Sequence, residues 1–262
     1  NAMIDRRPAV IVQCAYAADV PHAISFARDN GLEISIRGAG HNIAGNAVCD
    51  DGVMIDFSKM RNVHVDAEKR LAHVEPGATL GDVDKATQAY GLATPLGINS
   101  TTGIAGLTLG GGFGWLTRKY GMTVDNLVSA EMVTADGGHI RVSDKENTEL
   151  FWAIRGGGGN FGVVTSFLFR GCPVSTVYGG PIFWPLGQAK KVMRFWRDLI
   201  LTGPEELSGW FGFHTVPPVD MFPAEHHLKK MAVVTWCYTG DLNKAEDVFK
   251  PIRAVAPPAI DF

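Results

Sequence analysis

Residues 37–42 read RGAGHN, a histidine set among glycines between two short apolar runs, LEISI (32–36) and VMIDF (53–57). Glycine lets the backbone adopt a positive φ or approach a ligand closely. This stretch therefore predicts a loop that is shaped around a ligand, and not a linker. A histidine in such a loop either packs locally or takes part in binding, and the rest of the chain decides between the two.

Composition narrows the class of protein. The chain has 262 residues, of which 46% are hydrophobic and 19% charged, with a formal net charge of −3. This balance is typical of one large globular domain or two modest ones, and without a basic block it argues against nucleic acid as a partner. No apolar run has the length of a membrane span, and the opening NAMIDRRPAV lacks the apolar centre of a signal peptide, so we expect no membrane association.

The cysteines indicate the compartment. Cys14, Cys49, Cys172 and Cys237 form no C-x-x-C pair, which argues against a zinc site or a redox dithiol. The adjacent His226 and His227 lack a third ligand at metal spacing, so we expect no metal. Free thiols suit a reducing compartment, and we expect a cytoplasmic protein. The oligomeric state stays open.

Periodicity predicts alternating strands and helices in the first two thirds of the chain. Thr79 and Asp82 form a capping-box pattern at the start of one helix, and Asp136, Gly137 and Gly138 supply a hairpin turn. The predicted strands are 9–14, 32–36, 52–58, 71–77 and 162–170, with a connection over 62–69; the predicted helices are 19–31, 79–91 and 146–157; the predicted hairpin is 126–143.

Glycine becomes less frequent and tryptophan more frequent near residues 172–176. This change in composition predicts two domains, 1–172 and 173–262. In the second, we predict strands over 177–184, 207–215 and 231–239, and helices over 188–200 and 243–255. No strand is predicted after the last helix, so we expect the second domain to be incomplete. Four of its aromatic residues are expected to line a substrate pocket or, as is more usual for strand aromatics, the core: Trp184, Trp210, Phe213 and Trp236.

Three segments are rich in glycine, 37–52, 97–114 and 156–162. Gly157, Gly159 and Gly162 have G-x-G-x-x-G spacing, but a helix precedes them and a strand follows, which is the reverse of the dinucleotide-binding Rossmann order. The chain has neither a P-loop nor a G-x-S-x-G elbow. Backbone N–H groups of three such loops can surround the pyrophosphate of a large, two-ended cofactor without a lysine.

Four segments carry a resemblance to a known family: 34–60 (from ISIRGAGHN), 74–95 (VEPGATLGD), 101–137 (TTGIAGLTLGGGFG) and 149–169 (ELFWAIRGGGGNFG). In their order and spacing they resemble the flavin domain of the vanillyl-alcohol oxidase superfamily, and more narrowly its berberine bridge enzyme-like branch. The resemblance covers about residues 8–172; residues 173–262 resemble the start of the substrate domain weakly. It implies an α+β fold, a PCMH-type FAD-binding domain followed by the start of a substrate domain with an antiparallel sheet and helices.

The resemblance also gives His41 a role. It implies that FAD is bound covalently, with the 8α-methyl group attached to His41, and a neutral imidazole nitrogen is a suitable nucleophile for that carbon. Some members of this branch hold the flavin a second time through a cysteine. Asn99 stands at that position here, so we expect attachment through His41 only.

Further positions match cofactor-lining residues of the family. Thr102 stands where the family controls oxygen access to the flavin, and Tyr120 is an active-site or a packing residue. The resemblance places the pyrophosphate at Arg37, Gly38, Ala39, Gly40 and Asn42, the isoalloxazine or diphosphate near Gly103, Gly106, Gly111, Gly112 and Gly114, further cofactor contacts at Asp125 and Asn126, and the adenine end at Asn160, Gly162 and Val164.

The expected function is that of an FAD-dependent oxidoreductase. It would transfer hydride from a small organic substrate to covalent flavin, which molecular oxygen would reoxidise to give hydrogen peroxide. A same-fold dehydrogenase that does not use oxygen, a flavin-binding fragment without turnover, and a glycine-rich binding protein without cofactor are the alternatives. No catalytic base is assigned, because Asp220, Glu225 and Asp261 match no family motif; we expect the base beyond residue 262.

Overall fold

The computed structural model describes residues 3–262, and the chain divides into two compact units, one ending at Ser175 and the other beginning at Thr176. No helix among these residues is both long and apolar enough to cross a bilayer.

A small parallel sheet opens the first unit. It consists of β1 (Val10–Gln13), β2 (Ile34–Arg37) and β3 (Val53–Asp56), with β3 in the centre, and helix α1 (Asp19–Asp29) connects β1 to β2. Buried side chains of α1 pack with Ile55 and Phe57. The connection from β2 to β3, residues 38–52, contains neither helix nor strand. It is the segment that holds His41.

The second sheet of this unit is antiparallel and has the strand order β4-β5-β8-β6-β7. Its strands are β4 (Val63–Asp66), β5 (Leu71–Val74), β6 (Leu127–Val133), β7 (His139–Ser143) and β8 (Val163–Arg170). The α-helices of this unit after α1 are α2 (Leu80–Gln88), α3 (Ile104–Leu109), α4 (Thr117–Tyr120) and α5 (Thr148–Ile154). Residues of α2, α3 and α5 share one apolar core with the sheet, around Phe167 and Phe169.

Local signals explain several of these bounds. Thr79 accepts from the Asp82 backbone N–H and the Asp82 carboxylate accepts from the Thr79 N–H, so the predicted capping box of α2 is confirmed. The predicted hairpin forms β6 and β7, and Gly137 turns the chain with φ 90°.

Two expectations for this unit were wrong. The connection over 62–69 contains strand β4, which pairs with β5 because Val63 and Val65 pack against the core of the sheet. The glycine-rich segment 97–114 is not a continuous loop, since α3 occupies its middle. Packing of the fully buried Ile104 outweighs the low helix propensity of Gly106.

The second unit is an antiparallel sheet with helices. It contains β9 (Tyr178–Pro185), α6 (Ala189–Thr202), β10 (Leu207–Thr215), β11 (Lys230–Tyr238), α7 (Ala245–Ala254) and β12 (Ile260–Asp261), in the strand order β10-β11-β9-β12. The expectation that no strand follows the last helix was wrong, because Ile260 and Asp261 pair with β9 and Ile260 is buried.

The four aromatic residues of this unit that the sequence assigns to a pocket or to the core take different places. Trp184 and Trp236 are buried in its core, and the Trp184 indole donates to the Ala256 carbonyl oxygen at 3.0 Å. Trp210 is partly buried, whereas 58% of Phe213 is exposed. Core packing is therefore the role of the two buried tryptophans.

Candidate functional site

A cavity of about 780 Å³ lies within the first unit. Its volume falls in the upper part of the range of small-molecule and cofactor pockets, roughly 300–1,000 Å³. Two glycine-rich segments, residues 38–47 after β2 and 102–109 around α3, form much of its wall, and a third contribution comes from residues 159–164. The loop at the end of β2, the glycine-rich helix α3 and the start of β8 therefore face one space.

Eleven of the predicted site residues line this cavity: Gly38, Ala39, Gly40, His41, Asn42, Thr102, Gly103, Gly106, Asn160, Gly162 and Val164. They are separated by up to 126 positions in the sequence, counted from Gly38 to Val164. The fold brings them together because β2 and β8 belong to sheets that both end at this wall.

Seven predicted residues do not line the cavity: Arg37, Asn99, Gly111, Gly112, Gly114, Asp125 and Asn126. For most of them the structure gives a local reason for the residue type. A Cβ on Gly114 would stand 1.8 Å from the Leu96 carbonyl oxygen, so only glycine fits there. Their proposed contact with a cofactor stays a prediction.

Asp125 and Asn126 build the turn that precedes β6. The Asp125 carboxylate accepts from the Met122 backbone N–H at 2.8 Å. The buried Asn126 amide donates to the backbone carbonyls of Tyr120 and Met122 at 2.9 and 3.0 Å. Both side chains thus hold backbone groups that would otherwise be unsatisfied.

Arg37 stabilises the start of the loop that follows β2. Its guanidinium donates to the Asp56 carboxylate at 2.9 Å, joining the ends of the adjacent strands β2 and β3, and only 8% of the Asp56 side chain is exposed. Gly40 has φ 75°, and a Cβ there would lie 3.1 Å from Arg37 Nε. Arg37 therefore fixes where the loop leaves the sheet.

The glycines in the wall differ in what surrounds them. Gly38 approaches the Pro76 carbonyl oxygen, and Gly103 approaches the Ala39 backbone, so protein contacts explain both. A Cβ on Gly106 or on Gly159 would meet no protein atom within 4 Å, and neither residue has a positive φ. Because both line the cavity, their side chains would project into space that the protein leaves open, as expected where a ligand backs onto the main chain.

His41 lies in the wall with an exposed side chain. Its Nε2 is 3.3 Å from the Thr101 hydroxyl oxygen. Thr101 belongs to a turn that is hydrogen-bonded to the first turn of α2, since the Leu80 N–H donates to the Thr102 carbonyl and the Gly81 N–H to the Ser100 carbonyl. The imidazole is thereby linked to a segment sixty positions away.

Arg6 and Glu33 also line the cavity, and sequence reasoning missed both. The Arg6 guanidinium donates to the Val48 carbonyl oxygen at 3.2 Å, and so ties the N-terminal segment to the loop over 38–52. The DRRP stretch does not predict this contact, because Arg6 precedes the first strand and belongs to no motif. The wall thus contains one guanidinium, Arg6, which suits an anionic ligand group, and one carboxylate, Glu33, which does not.

The cysteines do not take part in the cavity wall. All four are buried free thiols. Burial raises the pKa of the Cys14 and Cys237 thiols from 9.0 to about 11, and burial likewise raises the pKa of Cys172. Neutral, buried thiols of this kind are packing residues, as expected.

The donor set fits FAD. The cavity has room for a dinucleotide, Gly106 and Gly159 leave open space beside it, an imidazole lies in its wall, and the wall contains the positive charge of Arg6 and the negative charge of Glu33. The described residues also form a smaller cavity of about 130 Å³ beside Glu131 and Arg141, which is too small for such a ligand.

Known proteins are similar to this chain in sequence and in fold. The chain is 46% identical over 160 residues to (R)-6-hydroxynicotine oxidase of Paenarthrobacter nicotinovorans, an alignment that covers 61% of this chain and 35% of that protein. The solved structure of 6-hydroxy-D-nicotine oxidase from Arthrobacter nicotinovorans matches with a TM-score of 0.89 and 33% identity, covering 100% of this chain and 56% of that one.

A second solved structure, wild-type BBE-like 1 of Physcomitrella patens, matches with a TM-score of 0.85 and 26% identity over 99% of this chain and 55% of that one. The chain thus spans about half the length of the solved structures it matches, and less of the curated relative. Residues 8–143, more than half of the 262, match the family described as FAD binding domain. The chain therefore belongs to the FAD-binding domain family, among relatives that include BBE-like proteins and 6-hydroxynicotine oxidase.

Proposed function

We propose that this chain is the FAD-holding part of an FAD-linked oxidase, with residues 1–172 as the flavin domain and 173–262 as part of a substrate domain. The observation that carries the proposal is the position of His41 in the wall of a cavity of about 780 Å³, a wall in which Gly106 and Gly159 leave open space where a side chain would lie. The names of the relatives, which are oxidases and FAD-linked oxidoreductases, support the same class of reaction.

Different residues of the cavity wall contact different parts of the cofactor. The backbone of Gly38, Ala39 and Gly40 offers N–H groups to the diphosphate, a role that loops of this kind perform without a lysine. Gly106 leaves space for the cofactor to approach the main chain of α3. Asn160, Gly162 and Val164 hold the adenine end, as the family resemblance implies.

His41 is the attachment residue. Its imidazole would hold FAD through a covalent bond to the 8α carbon, with molecular oxygen as the two-electron oxidant that the attachment needs. The buried cysteines are unsuited to a second bond, since none lies in the cavity wall and three have raised thiol pKa values. Single attachment follows.

FAD, when bound, supplies the electron chemistry: it accepts a hydride equivalent from a small organic substrate and is returned to the oxidised form by molecular oxygen, giving hydrogen peroxide. Thr102 lines the cavity beside Gly103 and is the residue of this wall that governs oxygen access. A general base has to remove the substrate proton, and no residue of this chain is assigned to that step.

The experiment needs no knowledge of the substrate. The purified protein is examined for a flavin spectrum, reduced with dithionite without oxygen, and then mixed with air-saturated buffer while absorbance and peroxide are followed. We expect a yellow protein, rapid reoxidation and about one peroxide per flavin. Slow reoxidation would favour the dehydrogenase instead, and a colourless protein that does not take up FAD would contradict the proposal.

A further inference from the structure

Asn99, Thr101 and His41 form a chain of hydrogen bonds that links the turn containing Thr101 to the loop after β2. We propose that Asn99 and Thr101 are positioning residues that hold the proton of the His41 imidazole on Nε2, and so leave Nδ1 as the nitrogen that bonds to the cofactor. The assignment of the proton rests on the contacts alone. The role of Nδ1 in attachment rests on the proposed function.

The direction of each bond follows from the donor groups. The Thr101 backbone N–H, which can only donate, lies 3.1 Å from the Asn99 side-chain oxygen, so the atom that faces Thr101 is the carbonyl oxygen and not the amide nitrogen. That oxygen can only accept. The Thr101 hydroxyl lies 2.9 Å from the same oxygen, so it donates its single hydrogen to Asn99.

The tautomer of His41 follows in turn. With its proton committed to Asn99, the Thr101 hydroxyl oxygen can only accept from His41 Nε2, which is 3.3 Å away. Nε2 then carries the hydrogen, and in a neutral imidazole the lone pair resides on Nδ1. The Thr101 turn is fixed to α2 by backbone bonds, so the hydroxyl is held in place independently of the histidine.

The chemistry of attachment uses both nitrogens. Nδ1 forms the bond to the 8α carbon, that carbon loses one hydrogen as a proton, the Nε2 proton leaves to solvent, and two electrons pass to oxygen, which becomes peroxide with the two protons. Asn99 thereby has a role of its own at the position where the resembling family carries a tethering cysteine. It orients the threonine that orients the histidine.

The first test uses the apoprotein, expressed with its full chain under riboflavin limitation. Long-range proton–nitrogen NMR of the imidazoles in alkaline buffer reports which nitrogen carries hydrogen. The His41 signals are identified by their absence from His41→Ala. We expect the Nε2–H form in the parent and in Thr101→Ser, and a share of that form that falls in Thr101→Val, which keeps the shape and the backbone N–H but loses the hydroxyl.

The second test follows covalent attachment after FAD is added to each apoprotein, by acid precipitation over time. We expect Thr101→Val to attach flavin about fivefold more slowly, the factor typical of one lost hydrogen bond, with unchanged reversible FAD binding and with Thr101→Ser restoring the rate. NMR of the isolated flavin peptide should place the bond at Nδ1.

The inference is overturned by an Nδ1–H form in the parent, by the same tautomer ratio in all three proteins, by attachment at Nε2, or by equal attachment rates. Failure of the proposed function looks different. In that case the parent itself takes up no flavin or releases all of it in acid, and the apoprotein NMR still decides the proton position.

Discussion

The backbone of Gly103 lies directly against that of Ala39: a Cβ on Gly103 would stand 2.9 Å from the Ala39 nitrogen and 3.0 Å from its Cβ. This contact joins two of the glycine segments in the cavity wall, the loop after β2 and the start of α3. The spacing of the two segments, and with it the shape of the cavity between them, depends on the absence of a side chain at Gly103.

Gly103→Ala should therefore weaken FAD binding by about tenfold, since the added methyl group pushes the two segments apart and overpacking of this kind costs about 1–3 kcal/mol. Titration of the apoprotein with FAD, followed by flavin fluorescence, measures the effect. Gly187→Ala is the matched control, because a Cβ there would meet nothing within 4 Å. An unchanged affinity in Gly103→Ala would show that the contact does not set the cavity shape.

Gly106→Ala should have opposite effects on the empty and the loaded protein. A Cβ at Gly106 meets no protein atom, and alanine in a helix is favoured over glycine by about 0.5–1 kcal/mol, so the apoprotein should become more stable. The same methyl group enters the cavity and should weaken FAD binding. Urea unfolding of the apoprotein and FAD titration measure the two effects.

Gly114→Ala provides the contrast to Gly106→Ala. Its Cβ would overlap the Leu96 carbonyl oxygen, so the apoprotein itself should lose stability. If Gly106→Ala bound FAD as tightly as the parent, the open space beside Gly106 would not be where the cofactor lies.

His41→Ala should lose covalent flavin completely and keep reversible FAD binding. The glycine segments and Arg6 remain in the cavity wall, and the exposed imidazole supports no buried packing. Acid precipitation separates the two forms: flavin stays with the pellet in the parent and moves to the supernatant in the variant. Flavin that remained with the His41→Ala pellet would assign the bond to another residue.

Peptide mapping of the parent should find flavin mass on the His41 peptide alone. Asn99 cannot form the second bond that a cysteine would, and the four cysteines are buried. Digestion followed by mass spectrometry at the flavin absorbance checks this. Flavin on any peptide with Cys14, Cys49, Cys172 or Cys237 would overturn single attachment.

The fold could be predicted well where local signals and packing agree. The Thr79–Asp82 capping box begins a helix as predicted, and the hairpin over 126–143 forms. The prediction failed where tertiary contacts overrode local preference. Helix α3 forms around Gly106 because Ile104 is buried, and β12 forms because Ile260 finds a place beside β9.

The candidate site could be predicted as far as motifs extend. His41 and the glycines of its loop line the cavity, but Gly112 and Gly114, which look alike in the sequence, are buried positions of an irregular segment where a Cβ would meet other protein atoms. Composition cannot separate a glycine that faces a ligand from one that faces a carbonyl oxygen. Arg6 and Glu33 were missed since only the folded chain brings the N-terminal segment to the wall.

Cys14 and Cys237 should resist alkylation at about pH 8. Burial raises the pKa of both thiols from 9.0 to about 11, so the reactive thiolate is scarce in the folded protein. Iodoacetamide labelling followed by mass spectrometry, with and without urea, measures the difference. Labelling of both thiols at the rate of the unfolded chain would contradict the expectation.

The same pKa values have a consequence for stability. These thiols ionise at lower pH in the unfolded chain than in the folded one, so their contribution to the free energy of unfolding is complete below pH 9.0 and is lost as pH rises toward about 11. Replacement of both by alanine should flatten that part of the pH profile, which urea unfolding at several pH values detects.

The connection over residues 38–52 joins two adjacent parallel strands without the helix that such crossovers usually contain, and His41, Asn42, Ile43 and Ala44 lie exposed along it. A long segment without secondary structure is a preferred site of proteolytic cleavage until something covers it. FAD in the cavity would cover this one, and a ligand that binds only the folded form also shifts the folding equilibrium. We therefore expect the level of this protein in a cell to follow the supply of riboflavin, with chains that lack the cofactor cut within this segment and degraded.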